Sequence, residues 1–559
     1  MNDFKRFKDP VYGYIHIENH VMGTVVDSAI FQRLRRIVQT SYAPLYASAV
    51  HNRFVHSIGV YHLSKMVIER LKQPINQKAV EHVMDLENWE RSLTVFSYAA
   101  LLHDVGHAPF SHTGEDFYLE NKKGYEKIHQ ELTDLVDYDE FKDDINAIKP
   151  GKEAKPHEIV SAIVGLKEFS SLFFSAEERA LFARCITGYR YREENYTVKN
   201  IYNCLIEMLN SAVIDIDKLD YLIRDAYITG YDTVKIDYQR LLSAVTIVEK
   251  NDSSLCLAYD KSAISVIENV IYAHDAEGHW IQTHPVVTYE SYLLEAIVEE
   301  LNSFFSGSRY PLFSLQSLSE NGNVLTHYNS ETQMSQDWKV RLLSDDDIVC
   351  MLKNFLHSEV SCEYLSRNMR RHAMWKSEAE YQAYFYKQVG RDSNMSSIIE
   401  TAFSKVSVLV KNSTHKDFIN EEAYKRIKRD YDSLSKGSID GLSDRQRTEK
   451  LKDYETCVQW LECFQDFCAE EGIPFDLLFL SAKQFTSSFM KSGYENAMIY
   501  VEDHPNKIVK YSDIITVMSR KPPIRKEFYY VFYKRDGEKK VNVHRFFKKM
   551  MRTATEIME

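Results

Sequence analysis

Apolar residues recur at steps of three and four through residues 1–300. Examples are Ile30, Leu34, Ile37 and Val38; Leu93, Phe96, Ala100 and Leu101; Val213 and Ile216; and Val266 and Val270. Such spacing buries one face of a helix, so this region is predicted to be mostly helical. The periodicity lapses over Ser306–Asp337, where Ser, Asn, Gly and Thr predict a loop or weak hairpin and a boundary. It returns from 338 to about 480, opened by Ser344-Asp-Asp-Asp347 ahead of Ile348, Met351 and Leu352, a helix-start signal. Farther on, Met498-Ile-Tyr-Val501 and Phe528-Tyr-Tyr-Val-Phe-Tyr533 read as strands, with Asp536-Gly537 as a hairpin turn towards Val541-Asn-Val543. The expectation is a mainly α chain: a helical domain over 1–300, a helical extension over 301–480 and a small α+β lobe over 481–559.

Composition narrows the class. The chain has 559 residues, 44% hydrophobic and 27% charged, enough for two or three packed units. No run approaches the roughly 18 apolar residues of a membrane span, and Met1–His20 has no apolar leader core. A soluble, cytoplasmic protein without a membrane partner is expected. The eight cysteines (185, 204, 256, 350, 362, 457, 463 and 468) have no C-x-x-C spacing, which argues for reduced thiols rather than a zinc ribbon or disulfide framework. A net charge of −12 excludes a surface that grips nucleic acid over its whole extent. The charge is uneven, however: Arg520–Arg552 carries twelve Lys/Arg against three Asp/Glu. That basic island is either a solvated face or a contact for a nucleotide, a nucleic acid or an acidic subunit.

The chemistry concentrates in Leu101-Leu-His-Asp-Val-Gly-His-Ala-Pro-Phe-Ser-His112. An imidazole and a carboxylate side by side, His103 and Asp104, end a long apolar run, and buried ionisable groups are costly unless paired or bound to metal. Upstream, His51-Asn-Arg-Phe-Val-His56 opens a helical pattern and offers His56, with Arg53 one turn before it. Downstream, Asp215–Asp225 reads as an amphipathic helix that projects Asp217, Tyr221 and Arg224 or Asp225 from one face. Together these segments give a ligand set of His56, His103, Asp104 and Asp217 for one divalent ion. Mixed imidazole and carboxylate ligands suit Mn, Fe, Mg, Ni or Zn alike.

These segments, with Asp9-Pro-Val-Tyr-Gly13, Phe31-Gln-Arg-Leu-Arg-Arg-Ile37, His51–Gly59 and Asp217-Lys-Leu-Asp-Tyr221, resemble the HD-domain phosphohydrolases. Within them the likeness is to the deoxynucleoside triphosphate triphosphohydrolases that carry a SAM domain ahead of the HD region. Here that SAM domain is expected to be absent, because the HD region starts almost at Met1. The resemblance implies an all-helical HD-domain core and metal-activated hydroxide attacking the α-phosphorus, with release of deoxynucleoside and triphosphate. It implies His112 as proton donor, with His107, Glu115 and His129 at neighbouring polar positions. It places Arg53, Lys218 and Tyr221 on the polyphosphate and sugar, and Gln39 and Asp225 on the sugar.

The same resemblance implies a homo-oligomer activated by a guanine nucleotide at Asp27, Gln32 and Arg35, on a helix Asp27–Gln39 whose polar face also carries Gln39. One segment departs from the family. Tyr272–His284 lacks the arginines expected against the nucleotide and has Asp275 and Glu277 instead. An HD-type phosphodiesterase or nuclease, and a non-catalytic nucleotide sensor or assembly scaffold, therefore stand as alternatives.

Overall fold

A computed structural model describes residues 3–118, 122–149, 151–192, 197–211, 214–231, 234–250, 254–306, 311–329, 334–389, 394–436, 444–482, 497–502, 508–514, 528–535, 537 and 540–558. The chain is mainly α and forms two compact units, each assembled from separated stretches: 1–277, 294–357 and 486–521 in one, and 278–293, 358–485 and 522–559 in the other.

The first unit is built on helix Arg53–Leu71, which packs against Leu86–Leu102 and Ile216–Thr229; Ala176–Thr187 in turn packs on Leu86–Leu102 and on Pro156–Glu168. Each central helix starts on a side chain that accepts an otherwise unpaired amide: Asn52 from Val55, Asp85 from Asn88, and Asp215 from Lys218. Val60, Leu63, Val67, Phe96, Ala99 and Ala100 are fully buried between them. A helix that is apolar nearly all round is a core helix, and Leu93–Leu102 is of that kind, wholly buried except for Thr94.

Three small sheets decorate this unit. Phe4–Asp9 and Gly13–Glu18 form an antiparallel hairpin that helical spacing had hidden, although Tyr14-Ile-His-Ile17 alternates polar and apolar. Asn323–Asn329 and Met334–Val340 pair antiparallel with Phe305–Ser306 alongside, so the polar stretch after 306 is in good part a sheet. Met498–Tyr500 is a strand, and it pairs parallel with Leu255–Asp260 through Ile499 and Tyr259.

The predicted helix Asp27–Gln39 is replaced by two short turns, α over Ala29–Gln32 and 3-10 over Arg33–Arg36. The chain then straightens because the Arg53 amide donates to the Ile37 carbonyl (2.9 Å) and the Gln39 amide to the His51 carbonyl (2.9 Å). Gln39 is therefore buried and does not share a polar face with Gln32 and Arg35.

The second unit holds a four-stranded antiparallel sheet in the order His372–Ala373, Phe528–Tyr533, Asp476–Ala482, Phe418–Asn420, with Phe479 opposite Val531. Every residue of Phe528–Tyr533 is buried, which is why that strand reads as an unbroken apolar run. Trp375, Phe403, Trp460, Phe464, Phe467 and Phe546 fill the core. The expected strand Val541–Val543 is not formed. Val543 instead begins helix Val543–Met558, whose Phe546, Phe547, Met550 and Ala554 lie buried on one side. Three-and-four spacing outweighs a short β-branched run; Asp536 of the expected turn lies outside the described residues.

All eight cysteines are free thiols. Among the described residues no helix is long and apolar enough to cross a membrane.

Candidate active site

Four segments of the first unit converge on one buried point. Arg53 opens its helix, and His56, one turn on, is fully buried. Helix Leu86–Leu102 ends at His103, and the turn that follows carries Asp104. That turn lies hard against helix Pro156–Glu168: a Cβ on Gly106 would sit 2.5 Å from the Ser161 nitrogen, and the Gly106 amide donates to Ser161 Oγ (2.9 Å). Asp217 comes from the first turn of Ile216–Thr229.

His56 Nε2 is 3.2 Å from His103 Nε2 and 3.0 Å from Asp217 Oδ1; His103 Nε2 is 3.6 Å from that same oxygen. Asp104 completes the ring, its oxygens 3.5 Å from His56 Nε2 and 3.4 Å from His103 Nε2. The opposite ring nitrogens are committed. His56 Nδ1 donates to Asp220 Oδ2 (2.8 Å), and His103 Nδ1 to the Ala100 carbonyl (2.9 Å). In the neutral imidazoles both Nε2 lone pairs therefore aim at one spot, flanked by carboxylates. Burial lowers the basicity of His56, but Asp217 and Asp220 push its pKa up to about 10. Against the same burial penalty, Arg53, His103 and His107 hold Asp104 well below the usual carboxylate range. The spot thus calls for a positive charge, and His56, His103 and Asp217 could together hold a divalent ion, with Asp104 beside them.

A second cluster adjoins the first: His107, His112, Glu115 and His157. His112 Nδ1 is 2.5 Å and His157 Nδ1 is 2.9 Å from the Glu115 carboxylate, and the His107 and His157 rings stack at 4.2 Å. His107 Nε2 lies 3.2 Å from Asp104 Oδ1, which joins the two groups. The His112 side chain is 60% exposed, so it faces the open side of the site.

His157 escaped the sequence reading, which pointed to His129. His129 is not brought here; its Nε2 contacts the Tyr189 hydroxyl (2.8 Å). The usable signal was Lys155-Pro-His-Glu158, a helix start with Pro at its first position and a Glu that returns to cap the Lys155 amide.

The expected substrate residues are engaged with the protein. Arg53 donates to Asp104 Oδ2 (2.7 Å) and to Ser111 Oγ (2.9 Å). Lys218 donates to Asp215 and to the Ser211 carbonyl, and Asp225 Oδ1 is 2.6 Å from His51 Nε2. Tyr221 is half-buried on the Asp217 helix, and buried Gln39 Oε1 has no hydrogen-bond partner among the described residues. Arg224 lies two turns beyond Asp217 on the same helix. It is buried, paired with Asp220 (2.9 Å) and Asp9 (2.8 Å), because that helix face packs on Gly59.

At the expected regulatory position Gln32 Nε2 donates to the Val26 carbonyl (2.7 Å) and Arg35 Nε to Gln32 Oε1 (2.8 Å). The Arg35 guanidinium lies 3.5 Å from the Phe54 ring centre, and Asp27 follows the turn Met22–Val26. In the divergent segment, buried Glu277 accepts the Tyr42 hydroxyl (2.9 Å). Four of the basic island's twelve cations pair within the second unit: Arg545 with Glu471 (2.7 Å), Lys549 with Glu470 (2.9 Å), Arg552 with Glu556 (2.9 Å), and Lys534 with Asp476 (2.9 Å).

Residues 53–222 match the HD domain family. The chain is 24% identical to the uncharacterized protein YwfO of Bacillus subtilis, over 72% of this chain and 80% of that one. It is 31% identical to the deoxynucleoside triphosphate triphosphohydrolase SAMHD1 homolog of Dictyostelium discoideum, over 45% of this chain and 41% of that one. The human SAMHD1 enzyme is 30% identical, over 47% and 39%. The chain thus spans about two fifths of the length of both SAMHD1-type relatives. A hypothetical protein of Aquifex aeolicus shares the fold at a TM-score of 0.53 and 17% identity, with 100% of both chains covered. A phosphohydrolase of Bacteroides thetaiotaomicron shares it at 0.52 and 17%, over 95% of this chain and 100% of that one.

Proposed function

We propose, from the match of residues 53–222 to the HD domain family, that the chain is a metal-dependent deoxynucleoside triphosphate triphosphohydrolase. Water attacks the α-phosphorus, the bond to the 5′ oxygen breaks, and deoxynucleoside and triphosphate leave. The observation that carries this reading is the pair of Nε2 atoms 3.2 Å apart, both lone pairs directed inward between Asp104 and Asp217. His56, His103, Asp104 and Asp217 would hold one divalent ion. Such an ion supplies a Lewis acid and lowers the pKa of water from 15.7 towards about 7 in favourable sites.

The remaining chemistry belongs to side chains. His112, exposed and braced by Glu115, would give a proton to the departing 5′ oxygen. His157 braces the other oxygen of Glu115 and so fixes its orientation. Arg53 is fixed at two points and presents a preset charge to the phosphates, while Lys218 on the neighbouring helix supplies a second. The likeness to deoxynucleoside triphosphate triphosphohydrolases favours a nucleotide substrate; a homo-oligomer and an activating guanine nucleotide at Asp27, Gln32 and Arg35 belong to the same proposal.

A second reading, hydrolysis of a different phosphoester at the same site, is favoured by one observation. Glu277 stands buried against Tyr42 in the segment expected to supply arginines, so fewer cations face a long polyphosphate. The test is chromatographic product analysis with each deoxynucleoside triphosphate and Mg, Mn or Fe, with and without GTP. Deoxynucleoside plus triphosphate supports the first reading; no cleavage of any of them, with hydrolysis of a diester, supports the second.

A further inference from the structure

Three consecutive acids, Asp345, Asp346 and Asp347, open helix Asp345–Phe355, and each does something different. Asp347 and Ser344 cap the helix reciprocally, and Asp346 reaches out to Arg36 (3.1 Å) on the surface. Capping and surface charge are thus supplied without Asp345, which is buried and turned inward. Its Oδ1 accepts the Phe110 amide (2.7 Å) and its Oδ2 the Val38 amide (2.8 Å).

Those two amides belong to the frame of the site. Phe110 and Ser111 both have left-handed backbone, with φ of 60° and 55°, a conformation costly for residues with a Cβ and kept only where the surroundings impose it. Ser111 Oγ accepts from Arg53 Nε (2.9 Å) and donates to the Val38 carbonyl, and His112 follows directly. Asp345, Val38, Ser111 and Phe110 therefore close a ring of hydrogen bonds around the turn that leads into His112 and holds the Arg53 guanidinium through Ser111. Arg33 reinforces it from beneath, donating to the carbonyls of Leu343 (2.6 Å), Val105 (3.2 Å) and His107.

We propose that Asp345 is a positioning residue for the hydrolytic site: its two carboxylate oxygens hold the Val38 and Phe110 amides, and so fix the Phe110–Ser111 turn and the placement of Arg53 and His112. The inference rests on the phosphohydrolase reading for its kinetic consequence, but not for its structural one. A carboxylate here does what a carboxamide does by half, since an amide oxygen accepts one of the two N–H groups and the amide nitrogen opposes the other.

The test compares full-length wild type with Asp345→Ala and Asp345→Asn by peptide-resolved hydrogen exchange, bound-metal content and steady-state kinetics. In Asp345→Ala, exchange should quicken over residues 108–116 and 37–40 while the helix Arg53–Leu71 keeps its protection. Metal content should stay at the wild-type value. Small misplacements of reacting groups cost heavily, so kcat should fall by about tenfold or more, with Asp345→Asn intermediate. Wild-type exchange in both segments together with wild-type kcat overturns the proposal; so does an even rise in exchange over the whole unit, the mark of a merely structural residue. Should Asp345→Ala not fold, Asp345→Asn decides by the same criteria. Should the wild type hydrolyse no nucleotide, the substrate reading fails, and the exchange comparison still decides the role of Asp345.

Discussion

His56 Nδ1 donates to Asp220 Oδ2 across 2.8 Å, with neither side chain exposed to solvent. Burial raises the pKa of a carboxyl, yet Arg224 and His56 hold Asp220 down at about 2, so it is ionised at any working pH. An ionised acceptor on Nδ1 fixes the tautomer and ring orientation of His56 and leaves Nε2 free to ligate. Asp220→Asn keeps the shape and removes the charge. Affinity for Mn should fall by about 10–100-fold, read by calorimetric titration; an unchanged affinity would show that Asp220 only fills space.

The close approach behind that pair is made by Gly59. A Cβ there would lie 1.9 Å from Asp220 Oδ1 and 2.4 Å from Arg224 Nη2, and neither group can retreat without losing its bonds. Gly59→Ala should cost about 1–3 kcal/mol of stability by overpacking and weaken metal binding as well. Gly23→Ala, where a Cβ meets nothing within 4 Å, is the control and should leave both unchanged. Denaturant midpoints of the two variants settle the comparison.

Asp345 should leave a signature in stability against pH. Burial pushes its pKa up to about 7, beyond what the two amides and Arg33 offset, and Asp346 adds to the rise. The fold thus favours the protonated acid. This contribution is complete below the ordinary carboxyl range and is lost as pH rises to about 7, at up to about 1.4 kcal/mol per pH unit. Asp345→Asn does not titrate, so the stability of wild type relative to this variant should decline between pH 4 and 7 and level off above. A flat difference over that range would contradict the burial account. A carboxylate retained at such a cost fits a positioning role.

The basic island should prove to be part of the second unit's own packing. Reversing Arg545 and Lys549 to Glu sets like charges against Glu471 and Glu470, and should lower the melting temperature. Binding to single-stranded DNA at low salt should change little. A large loss of DNA affinity with an unaltered melting temperature would restore the polyanion contact.

Much of this was legible along the chain because its signals are local. The His103-Asp104 pair ends an apolar run, His56 sits one turn into a helix that Asn52 caps, and Asp217 lies in the first turn of a helix that Asp215 caps. What escaped depends on long-range pairing. His129 lies in the middle of helix Lys122–Val136 and His157 at the start of Pro156–Glu168, and only the tertiary packing brings His157 rather than His129 against Glu115. Asp220 and Arg224 look like any i, i+4 ion pair on a solvated helix, whereas they are buried against Gly59. Helix Asp27–Gln39 gave way because Ile37 and Gln39 pair with the residues around His51, a contact no window of local periodicity contains. Asp345 reads as a helix-start acid, and its two amide partners lie over 200 residues away in sequence.

The proposed reaction is attack of water on the α-phosphorus at the His56, His103, Asp104 and Asp217 site. It is tested most directly by running the reaction with Mn and a deoxynucleoside triphosphate in ¹⁸O-labelled water and following it by ³¹P NMR and mass spectrometry. The account predicts inorganic triphosphate carrying one ¹⁸O on a terminal phosphorus, deoxynucleoside with an unlabelled 5′ hydroxyl, and neither product from the His103→Ala, Asp104→Ala double variant. Orthophosphate or pyrophosphate as the first product, label in the deoxynucleoside, or full turnover by the double variant would contradict it.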